Sequence, residues 1–118
     1  MSQFHVSPYI NFAGRSGEAL EFYHQVLGGK LDQQAKRLVT DGGVIIGVDG
    51  HPDYPAKVGE NMAVAILGAD RDGMAKIFNG LAEGGKVKGK LEKREWGGET
   101  GYLEDKFGIN WIVSVESA

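Results

Sequence analysis

The apolar positions of this chain fall into short runs of two periods, with glycines between them. Ser7 to Ala13 (SPYINFA) reads as a strand: Tyr9, Ile10 and Phe12 favour extended backbone, and Gly14 closes the run. Apart from Asn11 it is apolar on both faces, so cover on both sides is expected. Leu20, Tyr23 and Leu27 then recur at helical spacing, with Ala19, Phe22 and Val26 beside them. Ser16 is the expected N-cap and Glu18 sits in the positive first turn. Gly28-Gly29 ends the helix, because glycine accepts the left-handed conformation beyond a C-cap. Lys30 to Gln33 fits a short strand. Ala35 to Thr40 and Val44 to Val48 fit a hairpin around Asp41-Gly42-Gly43, since Asp-Gly accepts the positive φ of tight hairpin turns.

Gly50 to Gly59 (GHPDYPAKVG) is the most loop-like stretch and the natural internal boundary. Beyond it the plan repeats. Asn61 to Leu67 reads as a strand closed by Gly68, and Asp70 can cap a helix whose face is Met74, Ile77, Phe78 and Leu81. Gly84-Gly85 ends that helix. Lys86 to Glu92 alternates basic and apolar residues as a half-exposed strand does, and Gly101 to Glu104 and Asn110 to Glu116 are the last strands. Gly14 and Gly68 lie 54 residues apart (68 − 14), and the same offset relates Leu20 to Met74, Tyr23 to Ile77 and Leu27 to Leu81. Each half is therefore a β-α-β-β-β module, and the two together are expected to form one domain over 1–118. The first module covers 1–50, the loop 51–59 and the second module 60–118.

Composition narrows the function classes. A formal net charge of −3 argues against a nucleic-acid partner, and no apolar run approaches the roughly 18 residues of a membrane span. The first residues show no signal-peptide pattern, and the absence of cysteine fits a reducing cytoplasm and excludes thiol chemistry. The 19 glycines are about twice the usual share and mark tight turns between many short elements. Gly14-Arg15-Ser16-Gly17 follows a strand and opens a helix, but it is neither a dinucleotide loop nor a P-loop, so it reads as a plain turn.

Several stretches resemble the vicinal oxygen chelate superfamily, which holds glyoxalase I, extradiol dioxygenases and bleomycin-resistance proteins, and within it the PhnB-like branch. The residues are Pro8-Tyr9-Ile10-Asn11-Phe12, Ala19-Leu20-Glu21-Phe22-Tyr23, Leu27-Gly28-Gly29-Lys30 and Ile77 to Gly85. The most specific are Trp96, Gly101, Asp105, Phe107-Gly108 and Trp111. The stretch from Lys30 to Asp41 is shorter than in that branch. The resemblance implies an α+β fold in which two βαβββ modules curl mixed sheets around a cavity, with helices outside, and often a homodimer. In enzymatic members four His or Glu side chains hold one divalent metal that acts as a Lewis acid. The resemblance places those four positions at Pro8, Ile46, Met62 (or Asn61, with a one-residue slip) and Ile112, none of which suits such an ion. No metal and no cofactor are therefore expected. His5, His24 and His51 show no metal spacing among themselves.

Two function classes follow. In the first, the protein binds a small apolar or aromatic molecule without metal. Its ligand-facing residues are Phe12, Ile46, Met62, Val64 and Ile112, beside Ile10, with Trp96 or Tyr102 at the mouth. Trp111, one residue before Ile112, points the other way, towards a helix. In the second class an enzyme has replaced the metal with acid and base side chains, drawn from Asp49, His51, Glu99 and Glu104. A degenerate structural dimer is a third reading. The basic stripe Lys86, Lys88, Lys90, Lys93 and Arg94 reads as a charged sheet edge that discourages aggregation, or as a site for an anionic ligand.

Overall fold

The structure, a computed structural model, describes residues 5–53, 55–95 and 98–116. The chain divides into two compact units after Lys57, inside the stretch rich in Gly and Pro. Each unit carries the same plan.

The first unit runs β1 (Tyr9–Asn11), α1 (Ser16–Leu27), β2 (Lys30–Asp32), β3 (Arg37–Val39) and β4 (Val44–Val48). Its sheet has the order β1-β4-β3-β2, with β1 parallel to β4 and the other pairs antiparallel. One face packs on α1. Ala19, Leu20 and Tyr23 of the helix are buried with Phe12, Leu38 and Ile45, and the Phe12 and Tyr23 rings lie 6.0 Å apart. Gly29, one residue beyond the Gly28 C-cap, adopts φ 84, and a Cβ there would collide with the Val39 carbonyl of the third strand. Only glycine meets both demands.

Two local expectations change. Ser16 is the first helical residue, not the cap: Arg15 occupies the N-cap position and makes no capping bond. The reason is that Asp49, just beyond β4, satisfies the helix start from outside. The β3–β4 turn also needs no positive φ at Gly42 or Gly43. Instead the Thr40 hydroxyl accepts the amides of both glycines, at 3.2 and 3.1 Å.

The second unit runs β5 (Val64–Gly68), α2 (Arg71–Ala82), β6 (Lys86–Lys93), β7 (Glu99–Glu104) and β8 (Asn110–Val115). Its order, β5-β8-β7-β6, reproduces that of the first unit, again with the first and fourth strands parallel. Met74, Phe78 and Leu81 of α2 bury against Leu103, Trp111 and Val113. Gly101 lets the helix approach: a Cβ there would lie 2.5 Å from the Phe78 ring and 3.0 Å from the Leu91 backbone. Asp70 is the N-cap of α2, although its side chain makes no capping bond. Among the described residues no helix is long and apolar enough to cross a membrane.

Candidate functional site

Each unit covers one face of its sheet with its own helix and leaves the other face free of that helix. Strand alternation and register decide which side chain lies where. In the first unit Ile46 is paired in register with Tyr9 and with Arg37, so these three share the face away from α1. Ile45 and Leu38, one residue out of phase, are paired with each other and buried under the helix. Phe12 belongs to that buried set, only 6% exposed, with its ring tilted against Tyr23. Its expected place on the ligand-facing side is therefore corrected: α1 claims the ring as core.

In the second unit Ile112 is paired with Tyr102 on one side and with Ala65 on the other, and all three share the face away from α2. Thr100 and Ser114 lie next along the same face, their hydroxyls 2.7 Å apart. Val64 is paired with Trp111, which is buried on the α2 side. Val64 is thus corrected too. The phase of β5 puts Ala65 and Leu67, not Val64, on the open face, and Leu67 is 59% exposed. Met62 precedes the strand and is 79% exposed; its carbonyl accepts from the Asn110 amide at 3.4 Å. Trp96 lies outside the described residues.

The four acid and base candidates do not form one group within either unit. Asp49 accepts the Ser16 hydroxyl and amide, both at 2.8 Å, and the Gly14 amide at 3.1 Å. Lys36 Nζ lies 3.9 Å away. Partial desolvation pushes the Asp49 carboxyl up, but the Ser16 bonds, the Lys36 charge and the Gly14 amide outweigh it and hold the group below its ordinary value. This carboxylate fixes a helix start. His51 accepts the Asp53 amide through Nδ1 in an exposed loop. Glu99 pairs with Arg71 of α2 at 2.8 Å, on the helix side of the sheet, and Glu104 pairs with Lys88 at 3.6 Å on the opposite face.

Asp105 is 2% exposed, the most buried charged residue described. One oxygen accepts the amides of Phe107 and Ile109, at 2.8 and 3.0 Å, and the other accepts Trp111 Nε1 at 2.8 Å. The family-like spacing of Asp105, Phe107-Gly108 and Trp111 is therefore a folding device that locks the last turn and the largest core side chain. It supplies no free functional group.

The four positions that the resemblance assigns to metal ligands do not suit a divalent ion. Ile46 and Ile112 offer no donor atom, Pro8 none from its ring, and Met62 only a soft thioether. Among the described residues no three His, Asp or Glu side chains gather in a metal-sized group.

Two copies of a β-α-β-β-β unit, each with its first strand parallel to its fourth, define the paired-module class of the glyoxalase fold. The chain belongs to the Glyoxalase/Bleomycin resistance protein/Dioxygenase superfamily, whose model matches residues 6–113. Protein PA1353 from Pseudomonas aeruginosa is similar in structure, with a TM-score of 0.89 and 28% identity, over 98% of this chain and all of that one (100%). The PhnB protein from Bacillus cereus shares the fold at a TM-score of 0.77 and 16% identity, over 96% of this chain and 100% of its own. Protein YjdN of Escherichia coli (strain K12) is 23% identical over 138 aligned positions, taking in 93% of this chain and 94% of YjdN.

Proposed function

We propose that this protein is a metal-independent binding module of the PhnB-like kind, taking a small apolar or aromatic molecule against the open sheet face of its second unit. The observation that carries the reading is the make-up of that face at its centre. Ile112, at one of the four positions where the resemblance implies a metal ligand, stands between Ala65 and Tyr102. An apolar floor with a few fixed polar groups suits a small organic ligand better than an ion. In the first unit Ile46 and Tyr9 lie on the corresponding face beside Arg37.

We take the working form to be a cytoplasmic homodimer. Val58, Met62 and Val87 are large apolar side chains left exposed in one copy, and a two-fold partner could cover them. Sedimentation at micromolar concentration tests this: a dimer supports it and a monomer contradicts it.

The binding reading is tested with a neutral aromatic probe, 2-naphthamide, titrated into the full chain while backbone amide resonances are followed. Shifts should concentrate in β5, β7 and β8, and Ile112→Glu should abolish them. Absence of saturable shifts, or shifts confined to other strands, contradicts the reading.

A further inference from the structure

The open face of the second unit carries one charged side chain that is built in rather than loosely attached. Arg94 follows edge strand β6, and its guanidinium carbon lies 5.5 Å from the centre of the Tyr102 ring, so the cation sits over the aromatic face. Its Nε donates to the Thr100 carbonyl at 3.0 Å and its Nη2 to the Lys90 carbonyl at 2.8 Å. The carboxylate of Glu92, itself well exposed, approaches Nη1 at 3.5 Å. Two backbone carbonyls and a ring thus hold the group in one orientation. This arrangement differs from that of Lys93 on the same strand, which has no ion pair among the described residues.

The strand is shaped to allow this. β6 loses register against β7 twice, between Val87 and Gly89 and between Gly89 and Glu92. Irregularities of this kind re-aim side chains and bend an edge strand. Gly89 faces Tyr102 directly, and a Cβ there would come within 2.9 Å of the ring and 3.3 Å of Arg94 Nη2. The missing side chain leaves room for the ring and the guanidinium to lie together across the strand.

Arginine carries one N–H on Nε and two on each Nη. With the bonds above made, each Nη of Arg94 keeps one N–H without an acceptor among the described residues. A carboxylate takes one N–H from each Nη in its bidentate pairing with arginine. The apolar floor begins at once: Tyr102 is flush with Ile112 on the next strand. Lys90 lies on the same strand and adds positive charge, while Lys88 is already engaged by Glu104, Glu60 and Asn110.

We infer that Arg94, seated on Tyr102, recognises the anionic group of the ligand, and that the ligand class is an aromatic or apolar monocarboxylate. The inference rests on the binding reading above and narrows its ligand class. The ring would lie on Ile112 and Tyr102 and the carboxylate would meet the free edge of the guanidinium.

The test compares 2-naphthoate with its neutral isostere 2-naphthamide by calorimetry and amide shifts on the full chain. The charged fork should favour naphthoate about tenfold or more, because charge-assisted bidentate bonds are markedly stronger than neutral ones. Arg94→Gln should bring the ratio of the two affinities to about one, and Arg94→Lys should restore part of it, as a point charge without the fork does. Lys93→Gln, on the same edge, should leave the ratio where it was. Melting temperatures confirm that each variant is folded, and Gly89→Ala, which crowds ring and guanidinium together, gives a second route to a lowered ratio. If naphthamide binds as tightly as naphthoate, or if Arg94→Gln leaves the preference intact, the anion assignment is overturned and the binding reading stands. If naphthamide does not bind, the binding reading is overturned and the anion assignment with it.

Discussion

The two units fix the same architecture with one carboxylate each, at different places. In the first, Asp49 reaches from the end of β4 to the start of α1 and takes the Ser16 and Gly14 amides. In the second, Asp105 stays within the turn before β8 and takes two turn amides and the indole of Trp111. Asp49 keeps 38% of its side-chain surface exposed, whereas the residue Asp105 is 2% exposed. Water reaches the Asp49 carboxylate and is kept from Asp105. The strands follow the same division: three of the four in the first unit have three residues, and those of the second have five to eight. The longer strands and the buried carboxylate belong to the second unit, which also carries Arg94, Tyr102 and Ile112.

The contrast is broken most strongly at Trp111. Trp111→Ala removes the largest buried side chain described and the indole donor to Asp105, and should cost about 4 kcal/mol in urea unfolding. Asp105→Ala removes the carboxylate that accepts the indole N–H and two turn amides at a buried position and should cost about 3 kcal/mol. If either falls below the Asp49→Ala variant, the ranking of the two units is wrong. Gly101→Ala pushes a methyl into Phe78 and the Leu91 backbone and should cost about 2 kcal/mol, with α2 displaced.

Asp49→Ala removes only an external cap and should cost about 1 kcal/mol. Here pH sharpens the comparison. Folding lowers the Asp49 pKa, so its contribution is present above the unfolded value and is lost as pH falls through the folded one. The stability gap between wild type and Asp49→Ala should stay flat down to about pH 5 and close below about pH 4, near the ordinary aspartate value. A gap that widens towards acid would reverse the assigned sign.

Element order was legible because period and punctuation agreed: Gly28-Gly29 and Gly84-Gly85 end the two helices, and the repeat offset fits two copies of one plan. Alternation puts Trp111 under a helix once the resemblance sets Ile112 on the opposite face. Val64 was misplaced because its phase depended on where β5 begins, and a one-residue difference in phase moves every side chain to the other face. Its pairing with Trp111 shows the correct phase. Phe12 was misplaced for a related reason. A short run apolar on both faces carries no phase signal, and the Tyr23 ring decides which face the phenylalanine joins. Arg94 was visible only as one charge in a basic stripe. What sets it apart is two irregularities in β6 and the space over Gly89, which depend on pairing between strands rather than on local sequence.

The central claim is that the open face of the second unit binds its ligand without a metal. Calorimetric titration of 2-naphthoate tests it most directly, run on full-length protein in excess EDTA and again after incubation with manganese, nickel or zinc. The account predicts one affinity under every condition, lost in Ile112→Glu. Binding that disappears in EDTA and returns with a divalent metal would contradict it.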